Sequence, residues 1–411
     1  MTLNEPVVSI ANVRFALIQA RIKVDIPGEI MRIELNEEQR LLRDSIREFA
    51  EEEVRPKAKE IDQSGEFPES FFHQAGELGL AGVAVPEEYG GAGMDTLAYT
   101  LVIEEISRVC GSSGVILSVN NSLVCDPLLK FGSEEQKREF LTPLAGGVKL
   151  GCFGLTEPEA GSDPAAIRTS AVRDGDDYIL NGNKLFITNA THADIALVFA
   201  TVDRGLKHKG IAAFIVPAET PGYSRGAHEY KLGVNASGTT ELAFEDMRVP
   251  ISQRLGEEGE GFKIAMQTLD AGRIGIAAQA VGIAQGSFEE ALAYSQERRQ
   301  FGKPIADFQA IQFYLADMST ELDAARLLTW KAAWAKENQK RYSLEACQAK
   351  LFASEMAQRV TTRALQIHGG YGYIREYNVE RYFRDARITE IYEGTSEIQK
   401  MVIANWILDY S

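Results

Sequence analysis

The sequence has few of the residues that bind metals or form disulfide frameworks. Its 411 residues include only four cysteines and five histidines. The cysteines have no paired spacing and the histidines have no spacing such as H-x-x-x-H, so no metal site is predicted. Widely separated cysteines are typical of reduced core thiols in a cytoplasmic protein, with a disulfide as the alternative. The residues concerned are Cys110, Cys125, Cys152, Cys347, His73, His192, His208, His228 and His368.

Basic residues are scarce relative to acidic ones. The formal net charge is -16 at pH 7, which argues against nucleic-acid binding as the main function, because phosphate neutralisation requires clustered lysine and arginine. The apolar runs are all shorter than the roughly 18 residues that a membrane span needs. Partners are therefore expected among small molecules and proteins, with neither nucleic acid nor membrane.

Two common nucleotide-binding motifs are also absent. No G-x-G-x-x-G follows a predicted strand, and no G-x-x-x-x-G-K-[ST] occurs. Any nucleotide cofactor must therefore be held by another arrangement of the chain.

A chain of this length is expected to contain two or three subdomains. Residues 1–30 precede the first regular pattern and are predicted to be a flexible extension; a transit peptide is the alternative, but the acidic residues in this stretch argue against it. An all-helical domain is predicted over residues 31–149, because apolar residues there recur at threes and fours. Its predicted helices are 36–53, which ends near Pro56, 68–80, 96–109 and 134–144.

After residue 150 the spacing of apolar residues changes from about 3.6 residues, the helical repeat, to 2 residues, the strand repeat. Asn181-Gly182 between two alternating apolar arms is typical of a two-residue hairpin turn, and an antiparallel sheet domain is predicted over residues 150–252. Helical periodicity then returns in long segments, which favours a four-helix bundle over residues 253–411 and an α+β fold overall. The further strands are predicted at 195–201, 211–216 and 240–244, and the helices at 262–298, 308–337, 343–367 and after Thr395.

Glu393 is the main candidate for a catalytic base. It lies in the C-terminal run IYEGTSEIQ, where Ser396 with Gln399 three residues later is typical of a capping box that opens the last helix. The positive end of that helix and the apolar side chains of Ile391 and Ile398 would then set the ionisation of the carboxylate. An exposed loop glutamate is the alternative.

Three segments of the chain resemble the acyl-CoA dehydrogenase family. They are GLTEPEAGSD from Gly154, QIHGGYGY from Gln366 and the run around Glu393. The resemblance extends from about residue 35 to the end of the chain and is closest to the short-chain, butyryl-type members. It implies a helix–sheet–helix fold, FAD as cofactor, electron-transfer flavoprotein as the electron acceptor, and a homotetramer.

The resemblance also assigns residues to the cofactor. Many relatives have tryptophan where this chain has Phe186, so the aromatic cover is kept and an indole N–H is lost. Arg298 and Gln309 match positions that reach the flavin of a neighbouring subunit. From the residues alone, an interdomain loop at 153–162, a hairpin core position for Phe186 and a solvated helix end for Arg298 remain the alternatives. The residues assigned to FAD are Phe153, Gly154, Leu155, Thr156, Ser162, Phe186, Ile187, Thr188, Arg298, Gln309, Gln366, Ile367, His368, Gly369, Gly370, Thr395, Ser396 and Glu397.

Four residues are assigned to the acyl-CoA substrate by the same resemblance. They are Ser162, Asp270, Arg273 and Gly394. A salt bridge between Asp270 and Arg273, three residues apart on one helix, is the alternative for that pair.

The reaction that the resemblance implies is α,β-dehydrogenation of a short-chain acyl-CoA. Glu393 takes the α-proton while the β-hydride passes to flavin N5, which gives a trans-2-enoyl-CoA. Relatives of the isovaleryl and long-chain type carry their base where this chain has Gly272, so the base here is expected to be Glu393. The alternatives are a dehydrogenase for branched short-chain or medium-chain acyl-CoA, an acyl-CoA oxidase, and an alkylation-response flavoprotein, whose basic C-terminal surface is missing here.

Overall fold

The computed structural model describes residues 34–409. Helices form the first part of the chain, a sheet the middle and long helices the last part, so the predicted α+β class is confirmed. The boundaries at residues 149 and 252 stay predictions, and the extension predicted at 1–30 lies outside the described residues. None of the helices in the described range is long and apolar enough to cross a membrane.

The N-terminal helices are α1 to α8, and three of their junctions pass through π-helical turns. Asn36 opens α1 with a capping box to Gln39, and Leu42, Ile46 and Phe49 form its buried stripe. The bounds are α1 Glu37–Phe49, a π turn Ala50–Val54, α2 Arg55–Ser64, α3 Glu69–Glu77, α4 Thr96–Val109, α5 Gly111–Ser118, a π turn Val119–Cys125, α6 Asp126–Phe131, α7 Glu134–Gln136, a π turn Lys137–Leu141 and α8 Thr142–Ala145.

The prediction that the first helix ends near Pro56 was wrong. The chain stays helical through Pro56 to Ser64. In the π turn before it, the Arg55 N–H bonds to the Ala50 carbonyl, five residues back. This shift of the hydrogen-bond ladder leaves Pro56 at a position like the first turn of a helix, where its missing N–H is not needed.

The middle of the chain forms an eight-stranded sheet in the order β6-β7-β3-β2-β4-β5-β8, with β1 paired to β4. The sheet is antiparallel as predicted, except that β1 and β2 each pair with β4 in parallel. Strand β4 is buried along its whole length. The bounds are β1 Gly151–Gly154, β2 Ser170–Asp174, β3 Asp177–Ile187, β4 Ile195–Thr201, β5 Ile211–Pro217, β6 Tyr223–Arg225, β7 Thr240–Pro250 and β8 Arg254–Leu255.

Asn181-Gly182 does not form the predicted hairpin turn. The pair lies inside β3, and the register against β7 shifts between Leu180 and Gly182, which is a bulge. Gly182 has φ 144°, and a Cβ there would come within 2.7 Å of the Thr169 backbone. The glycine therefore serves a close backbone approach within a strand rather than a turn.

The C-terminal helices pack into a bundle around one apolar core that includes Ile274, Met318, Met356 and Tyr382. The three longest helices begin and end within about one residue of their predicted bounds. Helix α12, and helices α5 and α6 in the first domain, were not predicted. The bounds are α9 Gly261–Glu297, α10 Gln309–Asn338, α11 Ser343–His368, α12 Val379–Ile388 and α13 Ser396–Ile407, with a short hairpin of β9 Arg299–Gln300 and β10 Lys303–Pro304 between α9 and α10.

Candidate active site

The Glu393 turn connects α12 to α13. The predicted capping box of Ser396 and Gln399 was wrong: Thr395 is the N-cap, its hydroxyl accepts from the Ile398 N–H at 3.4 Å, and the apolar Ile398 has no side-chain acceptor to complete a box. Ser396 is the first helical residue and is buried. The Gln399 side chain does not bond to the backbone N–H of the N-cap residue. Its Nε2 donates instead to the carbonyls of Glu393 and Gly394 at 3.2 and 2.8 Å.

Two successive residues of this turn have positive φ. Glu393 has φ 52° and Gly394 has φ 91°. A residue with a Cβ in this region costs on the order of 1 kcal/mol and is kept only where its surroundings fix it. Gln399 fixes both carbonyls, and the buried Lys350 on α11 donates to the Gly394 carbonyl at 2.7 Å.

The Glu393 carboxylate lies against α9 at Gly272. A Cβ on Gly272 would be 2.1 Å from Glu393 Oε2 and 2.7 Å from Leu123 Cδ2. The carboxylate therefore occupies the space that any side chain at position 272 would need. Glycine at 272, where relatives of the isovaleryl and long-chain type carry their base, is what leaves room for the carboxylate at 393.

Glu393 Oε2 is buried and has no hydrogen-bond partner among the described residues. This desolvation raises the pKa of Glu393 to about 8, and the opposing attraction of Lys350 and then Arg273 is smaller. Ile391 does not supply the expected shielding, since it is 47% exposed. Leu123 and the α9 backbone shield the carboxylate instead.

Arg273 and Asp270 form the salt bridge that was the alternative for this pair. Arg273 Nη1 and Asp270 Oδ1 are 2.5 Å apart, and both side chains are largely buried. Asp270 also accepts from the Ser343 hydroxyl. Arg273 Nε has no partner among the described residues, and its charge lowers the pKa of Glu393. The pair thus belongs to the electrostatic surroundings of the Glu393 turn.

An apolar cluster joins this turn to the first predicted cofactor segment. Val115, Val119 and Leu123 form its buried part, and Phe153 and Tyr392 pack against it. Phe153 is on β1, and Tyr392 immediately precedes Glu393. Sequence segments separated by more than 200 residues therefore meet on one side of the carboxylate, next to the helix bundle.

A buried ion pair supports the segment after β1 and was not predicted. Lys184 Nζ lies 2.6 Å from Glu157 Oε1 and 3.2 Å from the Leu155 carbonyl. Glu157 also accepts from the backbone N–H groups of Arg168 and Thr169. The signal available in the sequence was a lysine on the inward side of an apolar strand, which can be buried only beside a countercharge.

Phe186 is an exposed aromatic residue in a constrained backbone. It is 65% exposed and has φ 58°, so the hairpin-core alternative was wrong. Its neighbour Ile187 is buried and Thr188 is half-buried. A large aromatic side chain that is held outward at a strained position is typical of a ligand contact rather than of core packing.

The residues predicted for the adenosine end of the cofactor divide into two groups. A cavity of about 470 Å³ is lined by Arg298, Ile367, His368, Gly369 and Gly370, together with aromatic residues. The Arg298 guanidinium lies 5.3 Å from the centre of the Tyr371 ring, so Arg298 is not a freely solvated helix end. Gln309 and Gln366, predicted for the same end, are exposed and do not line this cavity. Ser162 and Glu397, predicted for other parts of the cofactor, are exposed as well and line neither this cavity nor the Glu393 turn.

Comparison with known proteins identifies the family. Models described as the N-terminal, middle and C-terminal domains of acyl-CoA dehydrogenase match residues 36–148, 152–247 and 259–408. The chain belongs to the acyl-CoA dehydrogenase family, whose members are FAD-dependent oxidoreductases, and its cofactor is FAD.

Individual relatives narrow the similarity to short-chain members. The mitochondrial short-chain specific acyl-CoA dehydrogenase of Bos taurus is 54% identical over 376 residues, which cover 92% of this chain and 91% of that protein. The structure of butyryl-CoA dehydrogenase from Megasphaera elsdenii has a TM-score of 0.90 and 46% identity, covering 92% of this chain and 100% of that one. A structure described as the electron transferring flavoprotein of Acidaminococcus fermentans has a TM-score of 0.91 and 49% identity, with the same coverage.

Proposed function

We propose that this protein oxidises a short-chain acyl-CoA to the trans-2-enoyl-CoA, with Glu393 as the base that takes the α-proton. The observation that carries the proposal is the Glu393 carboxylate, whose Oε2 is shielded from water and unpartnered. Its pKa of about 8 suits a base that works near neutral pH, because proton affinity and ionised fraction are then both substantial. The similarity to short-chain relatives supports the choice of substrate.

The chain's residues fit an FAD. Gly369 and Gly370 have open space where a Cβ would lie, beside the Arg298 guanidinium, which suits the pyrophosphate of an FAD held mainly by a neighbouring subunit. Phe186 and the segment from Phe153 to Thr156 offer the exposed aromatic surface and backbone groups that suit the ring end. When bound, FAD supplies the acceptor for the hydride that leaves the β-carbon.

The chain itself provides for the charge that develops on the thioester oxygen as the α-proton leaves. The Glu393 N–H makes no hydrogen bond to any other described residue, so it is available as a donor. Its direction is fixed because Lys350 and Gln399 hold the carbonyls of the turn. A preorganised donor of this kind stabilises the enolate-like transition state more than the substrate. We assign Gly394, Arg273 and Asp270 to the substrate side of the same turn.

Short acyl chains fit the apolar cluster beside the carboxylate. Val115, Val119 and Leu123 are branched, buried side chains, which limit how far an acyl chain can extend and exclude water from the α-carbon.

For the electron acceptor we propose electron-transfer flavoprotein, and for the assembly a homotetramer in which Arg298 reaches the cofactor of a neighbouring subunit.

The test is anaerobic bleaching of the bound flavin with butyryl-CoA and octanoyl-CoA. Butyryl-CoA should bleach the flavin with the larger second-order rate constant. Preference for octanoyl-CoA would overturn the short-chain assignment, and absence of bleaching with every acyl-CoA would overturn the reaction. Recovery of the oxidised spectrum in air distinguishes the acceptors: rapid recovery indicates an oxidase, and recovery only with electron-transfer flavoprotein supports the proposal.

A further inference from the structure

Lys350 is a lysine without solvent contact in the middle of α11. Its relative exposure is 0%, and its Nζ donates to the Gly394 carbonyl at 2.7 Å. No described carboxylate lies within salt-bridge distance of it, so it lacks the pairing that most buried lysines have. Its position was not predicted from any motif.

The turn that Lys350 contacts is the strained one. Glu393 and Gly394 both have positive φ, and their carbonyls point toward the bundle, where Lys350 and Gln399 meet them. Gln399 divides one amide group between two carbonyls. Lys350 therefore provides the stronger, charge-assisted contact to the turn.

Charged and titratable groups surround Lys350 from each element packed against it. On α9 Arg273 is paired with Asp270, and on α11 Cys347 is buried. The turn contributes Glu393 and Glu390, and the carboxylate of Glu393 gives the largest attraction. Burial lowers the pKa of Lys350 to about 8, whereas Glu393 opposes this change. The charge of Glu393 also acts on Tyr99 and Tyr392, whose pKa values burial raises.

We propose that Lys350 is a positioning residue for the reaction: its ammonium group clamps the Gly394 carbonyl, which fixes the strained turn, and its charge favours the ionised form of Glu393. The proposal rests on the function proposed above, since it assigns Lys350 to the base of that reaction. The clamp can also be measured without turnover.

Lys350→Met in the full-length holoenzyme tests both parts. Loss of a nearby positive charge should move the apparent pKa in the pH profile of kcat/KM upward by about one unit. The rate at pH 7 should then fall about tenfold and the rate at pH 9 at most about twofold, because at pH 9 more of the base is ionised and Lys350 itself is largely neutral. In hydrogen exchange without substrate, the amides of residues 390–396 should exchange faster, with the rest of the chain like the parent.

Lys336→Met is the matched control. Lys336 is a largely buried lysine on the neighbouring bundle helix α10, and its partner Asp126 keeps a second contact from Lys130. This variant should keep the parent pKa and the parent exchange of residues 390–396.

Lys350→Gln separates the two parts and replaces Lys350→Met if that variant does not fold. It lacks the charge and can donate a hydrogen bond, so the pKa should rise with less change in exchange. A parent-like pKa together with parent-like exchange in the substituted protein would overturn the proposal. If Glu393 is not the base, the kcat/KM profile of the parent itself will lack the apparent pKa assigned to Glu393. The hydrogen-exchange measurement then still tests whether Lys350 holds the Gly394 carbonyl in place.

Discussion

The direction of the Glu393 carboxylate is determined by its own backbone and by the absence of a side chain opposite. Positive φ at Glu393 and Gly394 turns the carboxylate toward α9, and Gly272 leaves room for it. An alanine at 272 would place its Cβ inside van der Waals contact with Oε2. A carboxylate held in an apolar space without partners is costly for stability and useful for proton abstraction, which is the usual balance at active sites.

Glu393→Gln should make the protein more stable at alkaline pH. The pKa is about 8 in the folded protein against 4.5 for a free glutamate. Between these values the unfolded chain has lost the proton and the folded chain keeps it, so stability falls as pH rises and the full penalty is present above pH 8. Because the residue is only half-buried, we expect about 1–2 kcal/mol at pH 8. Denaturant unfolding of parent and variant from pH 5 to 8.5 should show a gap that widens with pH; a gap that is constant or narrows would contradict the raised pKa.

At the scale of elements, long amphipathic segments were predictable and local chain geometry was not. Apolar periodicity placed α10 and α11 closely, because each buries one stripe against the bundle core. Helices α4 and α9 are buried on nearly all sides, and their long apolar segments were still enough to predict a helix. The predictions at Pro56 and at Asn181-Gly182 were wrong for a common reason. A π turn lets the helix continue through Pro56, and a bulge keeps Asn181-Gly182 inside a strand. Both the π turn and the bulge depend on packing against residues far away in the sequence. Helix α5 was missed since it is buried on all sides and has no amphipathic pattern.

One junction connects elements from all three parts of the fold. Asp62 on α2 accepts from Arg384 on α12 at 2.6 and 3.0 Å, and from Asn235 of the sheet region at 3.0 Å. Asp62→Ala should lower the free energy of unfolding by about 2 kcal/mol, less than the loss of a fully isolated pair, because Arg384 retains Glu380. Denaturant unfolding measures the change. Asp174→Ala, which breaks an ion pair whose members are more than half exposed, is the control and should cost under about 0.5 kcal/mol; equal losses would show that the junction is not special.

At the scale of the whole molecule, the site draws on all three regions. The family and its motifs were evident from the sequence, and so was Glu393 as the candidate base. The contributions of Lys350, Gln399 and the Lys184–Glu157 pair were not, because each lies far in sequence from what it contacts and belongs to no short motif. Arg298 and its cavity involve only the C-terminal part of the chain and share no described contact with the Glu393 turn, which accords with the proposal that they serve a neighbouring subunit.

Arg298→Ala should weaken FAD retention and tetramer stability together. Loss of a charge-assisted phosphate contact costs roughly 1.5–3 kcal/mol, or about ten- to a hundredfold in flavin affinity. Flavin release on dilution and light scattering measure the two effects. Arg299→Ala, at the exposed neighbouring position, should change neither. A monomeric Arg298 variant that keeps its FAD would contradict a site shared between subunits.

Single-turnover reduction of Glu393→Gln by butyryl-CoA under anaerobic conditions tests the central claim most directly. The amide has the shape of the carboxylate and cannot accept the α-proton, so the variant should bind FAD and butyryl-CoA like the parent while its rate of flavin bleaching falls about 10² to 10⁴-fold or more. A bleaching rate within a few fold of the parent would show that another residue takes the proton, and the assignment of Glu393 as the base would be wrong.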